Sequence, residues 1–125
     1  MKKILVLFMI LSLFSGCKKQ DIVLRCKREE LYATDIIMYT FTGDYKKIIA
    51  NSITITVSLT SESEAKSFAE SQKKQHPTAK ISVNQNKVTI FDTDETTNRN
   101  TSKEEYNYFI SMLESDGFIC TSEKQ

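Results

Sequence analysis

Residues Ile53, Ile55, Val57 and Leu59 are apolar at every second position, with Thr54, Thr56 and Ser58 between them. A period of two is that of a β-strand, so this run commits the chain to a sheet with one apolar and one polar face. A second feature fixes a register. A two-residue loop at Gln85-Asn86 sets Val83 opposite Val88 and Ile81 opposite Ile90. All four then share one face, and Ser82 and Thr89 share the other. Asn86 is the residue expected to accept the left-handed backbone of that turn.

Other segments fit around these two. Ile22, Leu24 and Cys26 alternate in a first strand, and Arg28 to Thr34 reads as a connection. Ile36 to Thr42 is rich in strand formers, with Ile37, Tyr39 and Phe41 on one face. Gly43-Asp44 is the turn, and the chain returns from Tyr45. A bulge or break is expected at Asn51-Ser52, because the apolar parity changes there. Ser61 and Glu64 match a capping box that opens a helix with a thin apolar stripe of Ala65, Phe68 and Ala69. Pro77 forbids its continuation. Asp92 to Asn100 reads as a polar loop. Thr101 with Glu104, or Ser102 with Glu105, caps a second helix. Its buried stripe is Tyr106, Phe109, Ile110 and Leu113. Gly117 fits the position after that helix, and Phe118-Ile119-Cys120 a closing strand. The order β-β-β-α-β-β-α-β predicts an α+β fold: an antiparallel sheet of about five to six strands with two helices packed on it.

The first residues are of another kind. Lys2 and Lys3 precede an apolar run, Ile4 to Phe14, interrupted by Ser12 alone. Such a run suits a signal peptide and is too short for a spanning helix. It ends in Leu13-Phe14-Ser15-Gly16-Cys17, which resembles the lipobox of bacterial lipoproteins, with Phe14 where that pattern favours Leu. The resemblance implies cleavage before Cys17 and a diacylglyceryl group, with fatty chains such as palmitate, on its thiol. Two chains anchor a protein stably where one does so marginally. The expected organisation is a signal peptide at 1–16, a lipidated tether at 17–21 and one α+β domain at 22–125. The expected location is the cell membrane or outer membrane, facing the periplasm or exterior. An ordinary secretory leader with an incidental cysteine is the alternative.

Phe41 to Asp44 forms a Phe-Thr-Gly-Asp turn, and Glu64-Ala65-Lys66 opens the first helix. With the lipobox and the early paired strands, these features resemble small lipoproteins of the YehR type. That resemblance implies the fold and carries no activity with it.

Charge and side-chain chemistry narrow the function. The chain has 17 Lys and Arg against 16 Asp and Glu. Loss of Lys2 and Lys3 with the leader leaves 15 against 16, a net −1, and no basic surplus for nucleic acid. Cys26 and Cys120 both follow apolar alternation, and in an exported chain such a pair forms a disulfide. In a reducing compartment both would stay thiols. No cofactor motif occurs, and no metal is expected, since the two cysteines lack partner ligands. Asp92 to Thr96 has a faint calcium-loop character but lacks the required Gly and Glu. His76, the only histidine, stands at a helix end and suits a capping role. Tyr108 and Met112 lie one turn apart on the second helix, away from its apolar stripe, and are candidates for contact with a protein partner.

The reading is a small, membrane-anchored envelope module, non-catalytic, serving interaction or structure. Its alternative is an inhibitor or sensor-like binding domain acting on a secreted enzyme or envelope ligand. A protruding loop, most plausibly Asp92 to Asn100, would favour the alternative.

Overall fold

The computed structural model describes residues 20–93 and 98–125. In chain order they form β1 (Ile22–Glu29), β2 (Ala33–Phe41), β3 (Lys47–Ser58), α1 (Glu62–Gln75), β4 (Lys80–Asn84), β5 (Lys87–Thr93), β6 (Arg99–Asn100), α2 (Lys103–Ser115) and β7 (Ile119–Lys124). Every pairing is antiparallel. The sheet runs β4-β5-β3-β2-β1-β7, and β6 is a two-residue addition beside the start of β3. The α+β class and the two helices are as the sequence implied. The added strand β6 lies inside the stretch read as loop, where Lys47 pairs with Asn100 and Ile48 with Arg99.

Paired residues project to the same face of a sheet, so the register sorts the side chains. Cys26, Ile37, Ile53 and Asp92 make one row across β1, β2, β3 and β5. Ile55, Ile90 and Ile81 make a parallel row, and Val57, Val88 and Val83 another. The hairpin register is therefore the one its alternation requires. Both helices cover this apolar face, and they build two separate clusters. Under α2, Tyr106 and Leu113 join Ile22, Leu24, Cys26, Phe41, Ile48 and Phe118. Under α1, Ala65 and Ala69 meet Val88 and Ile90. Removing a side chain such as Leu24 from water contributes on the order of 1.5–3 kcal/mol. The other face of the sheet carries Arg25, Lys27, Thr34, Thr54 and Thr56.

The helix ends use the expected chemistry. Ser61 Oγ accepts the Glu64 amide at 3.1 Å, and Thr60 donates its hydroxyl to the Glu64 carboxylate. Of the two caps open for α2, the chain uses Ser102, which accepts from the Glu105 amide at 3.1 Å. Gly117 (φ 94°) follows α2. Its amide donates to Glu114 O and that of Phe118 to Leu113 O, a Schellman end.

Local details differ from the sequence reading where alternation alone is ambiguous. The first connection is shorter than Arg28 to Thr34, because β1 and β2 pair as far as Glu29 opposite Thr34. β3 begins at Lys47, after Tyr45 takes a left-handed φ of 62°. The bulge lies at Ile49 rather than Asn51-Ser52: Thr40 pairs with Ala50, and Phe41 with Ile48. In the hairpin loop the left-handed residue is Gln85 (φ 57°), not Asn86. Asn86 instead clips the loop to the end of β3. Its Nδ2 donates to Leu59 O at 2.9 Å, and the Leu59 amide donates to Asn86 O at 2.8 Å.

Candidate functional site

α1 presents two alanines and Phe68 to the sheet, so it settles chiefly on β4 and β5, with Ile55 of β3 at the edge of its cluster. α2 covers β1 and β2. The centre of β3 lies between them, under neither helix. Ile53 consequently stays 37% exposed, although it projects from the same face as the two clusters. Around it is a depression of about 290 Å³ lined by Ile37, Tyr39, Asn51, Ser52, Ile53, Asp92 and Thr93. Its volume is at the small end of ligand sites.

The floor is apolar, with polar groups at its side. Ile37 and Ile53 are neighbours in register, and so are Tyr39 and Asn51. Phe109 of α2 lies flat on Tyr39, with ring centroids 5.4 Å apart and planes 4° from parallel. The Arg99 guanidinium stands 5.9 Å from the Phe109 ring. Asp92 is opposite Ile53 on β5 and supplies the carboxylate of the lining. Such an arrangement suits a small apolar or aromatic group carrying a hydrogen-bond donor or a cation.

The residues singled out from sequence fall in several places. Cys17 lies outside the described residues. Cys26 and Cys120 are joined, with S–S 2.07 Å and Cα atoms 4.0 Å apart, and stand directly opposite each other on β1 and β7. That Cα distance is shorter than the usual range of about 4.4–6.8 Å. The bridge belongs to the α2 cluster, not to the groove. Tyr108 and Met112 are both exposed on α2. Met112 follows Phe109 by three residues, which places it on the same flank of the helix. His76 caps α1 and is exposed, its amide donating to Gln72 O. Of the loop read at Asp92 to Asn100, Asp92 and Thr93 belong to β5, and Asp94 to Thr97 lie outside the described residues.

Among the described residues, no group of three or more His, Cys, Asp or Glu is placed to hold a metal ion. Among the described residues, Glu29 and Asp44 are shifted below the ordinary carboxylate range. Glu29 is held ionised by the hydrogen bond and charge of Lys27, at 2.8 Å. Asp44 is held ionised by the Thr42 hydroxyl at 2.7 Å and the Lys46 amide at 3.1 Å. Arg28 is raised by its hydrogen bond to Asp35, which it meets at 2.7 Å.

The groove escaped the sequence reading, although a signal for it existed. Asn51 and Asp92 are polar residues at inward parity, in step with Ile53 and with Ile90. A second depression of about 370 Å³ lies on the opposite face, lined by Arg25, Lys27, Glu29, Gly117, Ile119 and Thr121. Compared with protein-family models, curated proteins and solved structures, the chain matches none.

Proposed function

We propose that this chain is a lipid-anchored module of a bacterial envelope that binds and does not catalyse. The lipobox at Leu13 to Cys17 supports the anchor, and the interhelical groove supports the binding. The observation that carries the reading is Ile53, an apolar side chain left open at the middle of the core-bearing face, beside Tyr39 and Asp92. An apolar floor with few polar groups is the usual make-up of a ligand site. Tyr108 and Met112, exposed one turn apart on α2, are the proposed contact for a protein partner.

The chain contains no tryptophan, so a single one reports without background. Tyr39→Trp keeps an aromatic ring against Phe109 and places the reporter in the groove. Its fluorescence is expected to shift when fractionated small molecules of the envelope are added, and the shift to weaken in Asp92→Asn. No response to any fraction would overturn the groove as a binding site. The anchor is tested separately. A fatty-acid probe should label the wild type and not Cys17→Ser.

A further inference from the structure

The three-residue turn between β1 and β2 is Glu30-Leu31-Tyr32. Leu31 is 85% exposed and Tyr32 67%, side by side at the tip of a hairpin. Single exposed apolar residues are ordinary; two large ones filling a tight turn are not. Turns favour Gly, Asn, Asp, Pro and Ser, each for a backbone reason. None of these occurs here, and none of the three residues has a positive φ. The backbone would therefore accept polar residues at both positions, and folding gains nothing from Leu31 or Tyr32 in water.

The turn is also held in place. The Glu30 amide donates to Ala33 O at 2.8 Å, and Tyr32 O accepts the Ser58 amide at 2.8 Å, tying the tip to the end of β3. A fixed apolar projection loses little freedom on docking, and tyrosine is among the side chains that dominate interfaces. Around the tip stand Lys27, Arg28 and Lys87 with Glu29, Glu30, Asp35 and Asp116, three cations against four carboxylates, with Glu29, Glu30 and Asp35 in ion pairs to Lys27 and Arg28. The tip stands at the opposite end of β1 from Ile22, where the tether from Cys17 enters. Eight residues of strand separate the ends by roughly 26 Å.

We propose that Leu31 and Tyr32 dock as a pair into an apolar pocket of a partner protein whose rim is rich in lysine and arginine. Carboxylates outnumber cations by one around the tip, which favours a rim of lysine and arginine over anionic lipid headgroups or a second copy of the same tip. The proposal deepens the binding reading above and rests on it, with the turn as a protein-contact surface separate from Tyr108 and Met112.

A photo-crosslinking aromatic residue in place of Tyr32, in the full chain in its native envelope, tests it. The expected result is one discrete protein adduct whose yield falls about tenfold or more with Leu31→Asp or Leu31→Ser, as for loss of an interface anchor. The joint change Glu29→Lys and Glu30→Lys should lower it as well. The crosslinked partner peptide should line a pocket bordered by basic side chains. Circular dichroism melts of each variant, expected to match the wild type, separate loss of docking from loss of fold. Adducts only with lipid, only with a second copy, or insensitive to all three changes would overturn the proposal, as would no adduct. Fatty-acid labelling of the same strain reads the anchor independently, and Tyr39→Trp fluorescence reads the groove. Failure of either is therefore distinguishable from failure of the turn.

Discussion

Asp44 shows how much order one exposed carboxylate imposes on a turn. It accepts from the Thr42 hydroxyl and the Lys46 amide, and the Lys47 amide donates to Thr42 Oγ1 at 3.1 Å. These bonds favour its ionised form, so its folded pKa lies below the unfolded value of about 3.8. Its contribution to stability is therefore present above that value and is lost as pH falls through the lower, folded pKa. Asp44→Asn should flatten this part of the acid unfolding curve below about pH 4, measured by circular dichroism. Gly117 makes a second residue-scale case. A Cβ there would meet Arg28 Cδ at 3.6 Å, an ordinary contact, so space is no obstacle. The φ of 94° is the obstacle, and Gly117→Ala should cost about 1–2 kcal/mol in urea denaturation. The position of Gly117 was legible because only a residue tolerant of positive φ suits that helix end. The left-handed Gln85 was not, because Asn86 is the better intrinsic candidate and its side chain is committed to Leu59.

Elements were legible wherever period and punctuation agreed. Ile81, Val83, Val88 and Ile90 allow one register for a two-residue loop, and the hairpin has it. The Ile49 bulge was displaced in the reading because a parity change shows that a residue is extra without showing which one. The groove depends on how far α1 and α2 sit apart across the sheet, and no local pattern encodes that distance. α1 is the element most sensitive to size: Ala65 and Ala69 are buried against β4 and β5. Ala69→Leu should destabilise by about 1–3 kcal/mol through overpacking. The outer surface of α2 should be indifferent by comparison. Changing Tyr108 and Met112 together to Ser should leave the unfolding free energy within about 0.5–1 kcal/mol, because both are exposed. Unfolding of that double variant would place them in the core.

At the scale of the whole molecule, the first and last strands are neighbours and share a bond. Cys26 and Cys120 are 94 residues apart in sequence. Closing a loop of that length stabilises by up to about 4–5 kcal/mol in the chain-entropy account, with measured effects often smaller. Cys26→Ala with Cys120→Ala should lower the urea midpoint accordingly, and reduction of the wild type should approach the same midpoint. No change in midpoint would show that β7 holds to β1 through backbone pairing and Phe118 alone.

The same bond has a consequence for the order of events during delivery. Under the proposed export from the N-terminus, Cys26 reaches the oxidising side before Cys120 and waits for nearly the whole domain to follow. Its nearest thiol in the meantime is Cys17, nine positions upstream and within easy reach of an unfolded segment. Under the lipoprotein reading, transfer of a diacylglyceryl group to the Cys17 sulfur turns that competitor into a thioether, which cannot exchange. Under the lipoprotein reading, attachment of the lipid also leaves Cys26 and Cys120 as the only thiols, with one bond they can form.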